Sequence, residues 1–335
     1  MDASEKLLKE LTEVHGIPGY EHEVRALVRG YVEPLGAVEQ DKIGSLICRL
    51  EGEGPKVMLA GHMDEIGFMV RHVTEDGFIK FLPLGGWWDQ VLLGQRVIVK
   101  THNGDLVGII GAKPPHMLSA DERKKVVQRK DMYIDIGATS RAEVEEVGVR
   151  VGDPIVPDSH FVRLANGKTY LSKAFDDRLG CALMIEALQH FAEAPHPNVI
   201  YGVATVQEEV GLRGAGTSAE VVNPDVAIIL EVDIAGDVPG IKDEESAVKL
   251  GGGPTVLFYD RSMIPNLRLR DLFINTAEEL GIKLQFSAME GGATDGGQIH
   301  LNRIGVPSIV IGPPVRYIHS HNSILNRTDY DNTSN

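Results

Sequence analysis

The stretch Lys56-Val57-Met58-Leu59-Ala60-Gly61-His62-Met63-Asp64 sets the frame for the whole chain. Its first five residues form a short, largely apolar run that predicts a strand, and the strand ends in Gly-His-Met-Asp. His62 and Asp64 lie two residues apart on extended chain, so alternation sends both side chains to one face. An imidazole beside a carboxylate suits a metal ligand whose partner orients its ring. It equally suits a buried histidine bonded to an aspartate, and the pair alone does not separate the two.

Upstream, Ser4 is expected to cap a helix whose Leu7, Leu8, Leu11 and Val14 recur at helical spacing. Residues 16–20, with Pro18 and Gly19, predict a turn; residues 21–32 predict a second helix, and 45–50 a strand. Downstream, from about 65 to 168, short β-rich runs at 78–82, 96–100, 106–110 and 132–136 alternate with Gly, Asn, Asp and Pro turns. That texture predicts a small β-barrel or sandwich. Within it, the polar, basic stretch 114–130 reads as a mobile loop. After Lys173 strands alternate with long helices: helix 175–190, strands 199–206 and 226–232, helix 266–280, strand 307–311. Alternation of this kind implies an α/β fold, a mixed sheet with helices on both faces. The simplest organisation is one α/β domain from residues 1–64 and 169–335, interrupted by an inserted β-rich domain at 65–168. Ligands of such sheets sit outside the carboxyl ends of the strands.

Composition narrows the function classes. The 335 residues suit two domains, and 33 basic against 48 acidic residues give a net charge of −15. Nucleic-acid binding would favour a basic face, so no nucleic-acid partner is expected. No apolar run approaches the roughly 20 residues that span a bilayer, and the first residues lack a secretory pattern, so no membrane partner is expected. Cys48 and Cys181 each sit in apolar sequence and read as buried free thiols, which with the rest points to the cytoplasm.

Further candidates fall near the ends of predicted elements. Asp176-Asp177 opens a helix, where a capping role competes with metal binding. Glu208-Glu209 follows an apolar strand, and adjacent acids there repel unless cations or protons offset them. Asp233 ends the apolar run 227–232, and a buried acid needs a partner. His319 and His321 both follow the last predicted strand, and either could be a ligand. Two imidazoles with at least three carboxylates form the donor set expected for Zn²⁺, Co²⁺ or Mn²⁺. Two divalent ions balanced by three carboxylates and a hydroxide would make a two-metal hydrolase.

These residues, in this order, resemble the tetrahedral aminopeptidases, metallopeptidase family forty-two of the co-catalytic zinc peptidase clan. The segments that carry the likeness are AGHMDEIGFMV (60–70), KAFDDR (173–178), ATVQEEVGLRGA (204–215), EVDIA (231–235), GGATDGGQIH (291–300) and RYIHS (316–320). The resemblance implies two divalent ions per subunit, Zn or Co, with Mn as an alternative. His62 and Asp233 would hold one, Glu209 and His319 the other, and Asp176 would bridge them, with a cis peptide between Asp176 and Asp177. Glu208 would be the general base and Asp64 the partner of His62. Gly291, Gly292 and Asp295 would line the substrate pocket. The implied substrates are short peptides cleaved at their N-terminus. The implied assembly is a homododecamer built from dimers, with the inserted domain as the dimerisation element. The sequence departs from the family pattern after His319, in SHNSILNRTDYDN (320–332), and ends where a further helix is expected to begin, at 329–331. An N-acyl amino-acid deacylase could share every ligand. A non-enzymatic metal scaffold would gain nothing from Glu208 beside Glu209.

Overall fold

Asp2, not Ser4, starts the first helix. In the computed structural model, which describes residues 1–335, α1 (Ala3–Glu13) begins with the Asp2 carboxylate accepting the Glu5 amide at 2.8 Å. A carboxylate does this better than a hydroxyl because its charge also favours the helix N-terminus. The chain divides into two units: Met1–Glu65, His160–Ile318 and Asn322–Asn335 form the first; Ile66–Ser159 and His319–His321 form the second.

In the first unit α1 is followed by α2 (His22–Val32), which buries Val24, Val28 and Val32 at every fourth position, and by β1 (Ala37–Gln40), β2 (Leu46–Leu50) and β3 (Lys56–His62). The second unit contains β4 (Gly67–Val73), β5 (Ile79–Leu84), β6 (Arg96–Thr101), β7 (Gly104–Gly111), β8 (Tyr133–Asp135), the short α3 (Arg141–Glu146) and β9 (Pro154–Pro157). Its strands close into a barrel in the order β4-β5-β8-β7-β6-β9. Phe68, Val97, Val99, Ile110, Ile134 and Ile155 fill the barrel's core. Trp87 stacks on Phe68 with ring centroids 4.7 Å apart and donates its indole N–H to the Gly67 carbonyl, whereas Trp88 is 61% exposed. The stretch 114–130 holds 3₁₀ turns at Pro115–Met117 and Glu122–Lys124, with a third at Arg129–Asp131.

The chain then returns to the first unit. Residues 160–168, expected in the insertion, belong here: Phe161 packs on Tyr170 at 4.9 Å, and β10 (Val162–Arg163) pairs with β11 (Thr169–Ser172). There follow α4 (Phe175–Glu193), β12 (Val199–Thr205), α5 (Arg213–Val222), β13 (Val226–Leu230), β14 (Asp233–Ile234), β15 (Thr255–Asp260), α6 (Leu267–Leu280) and β16 (Gln285–Met289). The last elements are α7 (Gly296–Ile299), β17 (Ser308–Gly312), β18 (Pro314–Arg316), β19 (Ser323–Asn326) and α8 (Arg327–Ser334). The helix expected near 329–331 thus starts at Arg327.

The main sheet runs β1-β2-β12-β3-β13-β17-β15-β16. Its centre, β12-β3-β13-β17, is parallel; β1, β2 and the β15–β17 pair add antiparallel contacts. Alternation divides its side chains between two apolar layers. Leu46, Cys48, Leu59, Ala204 and Leu230 join α1, α2 and α4 in one; Ile47, Met58, Ala60, Val203 and Ile229 join α5 and α7 in the other. Cys48 and Cys181 are buried free thiols, as expected. No helix is long and apolar enough to cross a membrane.

A second sheet, β10-β11-β19-β18-β14, has no counterpart in the sequence reading. Two neighbouring parallel strands cross into it side by side: β13 leads to β14, and β17 to β18. The crossing is tight. A Cβ on Gly312 would lie 1.7 Å from the Glu231 carbonyl oxygen, so only glycine fits. A similar approach sets α4 against β3, because a Cβ on Gly61 would lie 2.6 Å from the Gly180 carbonyl carbon. The start of α4 is thereby drawn onto the carboxyl end of the central strand.

Candidate active site

His62 ends β3 and is 1% exposed. Its Nδ1 lies 2.8 Å from the Asp64 carbonyl oxygen. A carbonyl only accepts, so Nδ1 carries the proton and Nε2 the lone pair of the neutral ring. Nε2 faces carboxylates: Asp176 Oδ1 at 3.1 Å, Glu231 Oε2 at 3.7 Å and Glu208 Oε2 at 3.8 Å. Burial opposes a charge on this ring. The carboxylates of Glu231, Glu208, Asp176 and Asp64 outweigh it and hold the imidazole well above its usual pKa.

The two acids at the start of α4 do different things. The expected cis peptide joins them. Asp177 is fully buried and accepts the His62 and Gly180 amides, each at 3.0 Å. Asp176 faces the His62 ring instead. Asp64 also does more than orient an imidazole. Its carboxylate lies 3.6 Å from Nδ1, but its two oxygens accept the Glu208 amide at 3.0 Å and the Glu209 amide at 3.1 Å.

Two sets of donors could each surround a cation: His62 with Glu208 and Glu231, and His62 with Asp176 and Glu209. In each, the ligand atoms lie within 4.8 Å of one another, and His62 is common to both. Burial first, then mutual repulsion, pushes Glu208, Glu231 and Asp177 well above the usual carboxylate range. Buried acids crowded on one imidazole require protons or cations between them. The donor set, imidazole and carboxylates, therefore fits divalent ions of the Zn²⁺, Co²⁺ or Mn²⁺ type.

Asp233 is not among them. It belongs to neither donor set, and its carboxylate takes the Ser287 hydroxyl and, at 2.7 Å, the Ile234 amide. The reason is the crossing between sheets. The main sheet ends at Leu230, so Glu231 occupies the strand end and Asp233 already pairs with Pro314 in the second sheet. Glu231 carried a signal in the sequence, as the one acid within an otherwise apolar run.

His319 lies in the second unit with φ +56, and its Nδ1 is 3.0 Å from the Gly86 carbonyl, which again leaves the lone pair on Nε2. His321, its rival in the sequence, is buried against Trp87, and burial pushes it down to about 4. Asp295 heads α7 and is buried. One carboxylate oxygen accepts the Thr205 hydroxyl, the other has no partner, and burial pushes the group up to about 6. Gly291 and Gly292 follow β16, and the Gly292 carbonyl accepts the Arg261 amide at 3.0 Å. Unforeseen in the sequence is a buried ionic cluster beside the site. Lys173 and Arg178 both engage Glu65, and Arg178 also donates to the Met63 carbonyl at 2.6 Å and the Gly16 carbonyl at 3.1 Å.

A parallel sheet with carboxylates and an imidazole gathered at its strand ends defines a hydrolase-type metal centre. The chain matches the model of the M42 glutamyl aminopeptidase family over residues 44–335, and a second model, AMPT, matches residues 2–27. It belongs to the M42 glutamyl aminopeptidase family. It is similar to the TET aminopeptidase of the marine sediment archaeon Thaumarchaeota archaeon SCGC AB-539-E09, with 53% identity and a TM-score of 0.97 across 99% of this chain and 93% of that one. The lysyl aminopeptidase of Pyrococcus furiosus is 35% identical over 332 residues, 98% of this chain and 94% of that protein. The Pyrococcus horikoshii TET1 peptidase, which can assemble into a tetrahedron or a large octahedral shell, aligns at 34% identity with a TM-score of 0.89, covering 99% and 97%.

Proposed function

We propose that this site removes N-terminal residues from short peptides by metal-dependent hydrolysis. The observation that carries the reading is the convergence of Asp176, Glu208 and Glu231 on one imidazole nitrogen, with Glu209 completing the second donor set. His62 and Glu231 would hold one divalent ion, Glu209 and His319 the other, with Asp176 between them. Zn²⁺ or Co²⁺ is the preferred pair, with Mn²⁺ as an alternative. Bound there, such ions supply Lewis acidity to a water and to the scissile carbonyl.

The chain's own groups do the rest. Glu208 takes a proton from the attacking water and passes it to the departing amine. Its burial, which raises its basicity, suits that task. Asp64 holds the backbone of Glu208 and Glu209 and the His62 ring in one arrangement. Asp177 holds the His62 backbone. Asp295, with Gly291 and Gly292, contributes to the substrate pocket; its unpartnered oxygen suits a cationic or N–H-bearing group.

The barrel would serve dimerisation and the particle would be a dodecamer of dimers, a reading supported by the assembly of the TET1 relative. Two buried free thiols suit the reducing cytoplasm. The test is a panel of aminoacyl-p-nitroanilides against N-acyl amino acids, using protein reloaded with Zn²⁺, Co²⁺ or Mn²⁺. Anilide cleavage with inert N-acyl compounds is expected. The opposite pattern would make the protein a deacylase.

A further inference from the structure

The turn after β12 presents both the base and a metal ligand, yet it has little regular structure of its own. Gln207 sits at φ +56, a conformation that side-chain-bearing residues rarely adopt. Three successive amides, of Gln207, Glu208 and Glu209, each end on a buried carboxylate instead of a ladder partner. Asp64 takes the second and third, at 3.0 and 3.1 Å. Glu21 takes the first at 3.1 Å, and the same Glu21 oxygen accepts the Gly19 amide at 2.8 Å. Glu21 is 3% exposed and stands just before α2, an element that contributes nothing to either donor set.

Two bonds to one carboxylate leave the turn free to swing about Asp64. A third bond, from a different element, removes that freedom. We propose that Glu21 is a positioning residue: by holding the Gln207 amide it fixes the directions in which Glu208 and Glu209 leave the turn. This rests on the proposed roles of Glu208 as base and Glu209 as metal ligand. Glu21 touches neither substrate nor metal, and acts through the backbone alone. What it must supply is a hydrogen-bond acceptor at that point. A glutamine can supply one and an alanine cannot.

The test compares Glu21→Ala, Glu21→Gln and wild type, all loaded with Co²⁺, on an aminoacyl-p-nitroanilide. Glu21→Ala is expected to lower kcat by about 10- to 100-fold, the scale at which small misplacements act, with KM changed less than about threefold. Glu21→Gln is expected to stay within about threefold of wild type. The visible absorption of bound Co²⁺ should change in Glu21→Ala, as Glu209 moves, and match wild type in Glu21→Gln. A merely structural Glu21 would lower the melting temperature while leaving kcat per folded molecule and the Co²⁺ spectrum intact, and that result overturns the proposal. So does a Glu21→Gln variant as impaired as Glu21→Ala. If Glu21→Ala does not fold, Glu21→Asp, whose carboxylate is withdrawn by one methylene, should show the same kcat loss; wild-type kcat there also overturns it. Failure of the underlying reading looks different: wild-type protein would be inactive with every metal, or Glu208→Gln fully active, whatever the Glu21 variants do.

Discussion

The two units bury different things. Between Ile66 and Ser159 no polar or charged side chain is buried, and the barrel is held by Phe, Val, Ile and Trp packing. The first unit buries Glu5, Glu21, Asp41, His62, Asp64, Glu65, Lys173, Asp177, Arg178, Glu208, Glu231, Asp260, Asp295 and Asp329. Burying charge costs free energy, so a fold does it where chemistry or a tight backbone crossing requires it. The barrel shows what this chain makes when stability alone decides. The sheet unit shows what it tolerates in order to bring carboxylates onto one imidazole.

That contrast is broken most directly by Glu208→Gln. Turnover should fall by about 10²–10⁴-fold, the share of a general base, with metal content unchanged. Turnover within a few-fold of wild type would remove Glu208 from the chemistry. Next comes Ile134→Ala in the barrel core. It should cost about 2–5 kcal/mol of stability by denaturant titration, with kcat per folded molecule within about twofold. A matching loss of kcat would show that the barrel does more than pack. Glu231→Ala and Asp233→Ala sharpen the contrast within the first unit. Metal affinity should fall by at least about tenfold in the first and stay near wild type in the second, read by calorimetric titration.

The smallest effect concerns pH. Burial, then the Asp64 charge, pushes Glu21 up to about 7. A folded-state pKa raised for an acid means that the folded chain holds the proton more tightly. Stability is therefore lost as pH rises from the unfolded value of 4.5 through about 7. The metal-free wild type should lose up to about 3 kcal/mol relative to Glu21→Gln over that span. Parallel stability curves for the two proteins would show that Glu21 does not titrate there.

Long apolar periodicities were legible. The strands β3, β12, β13 and β17 and the helices α1, α2, α4 and α6 follow from runs of apolar residues, and the insertion's β texture from its turns. The second sheet was not legible, because β10, β14 and β18 are two or three residues long and carry no period. That gap explains the one displaced ligand. Asp233 looks like a strand end only if the strand continues past Leu230, and the crossing into the second sheet hands that position to Glu231. His62, Asp176, Glu208 and Glu209 were legible as acids and an imidazole near element ends. The anchoring of their backbone by Asp64, Asp177 and Glu21 was not, since side chain-to-amide bonds leave no pattern in sequence.

The most direct measurement is anomalous diffraction from crystals soaked in Zn²⁺ or Co²⁺. Two peaks per subunit are expected, both in contact with Asp176, one also bound by His62 and Glu231 and the other by Glu209 and His319. A single peak, or a peak on Asp233 with Glu231 unligated, would contradict the site described here.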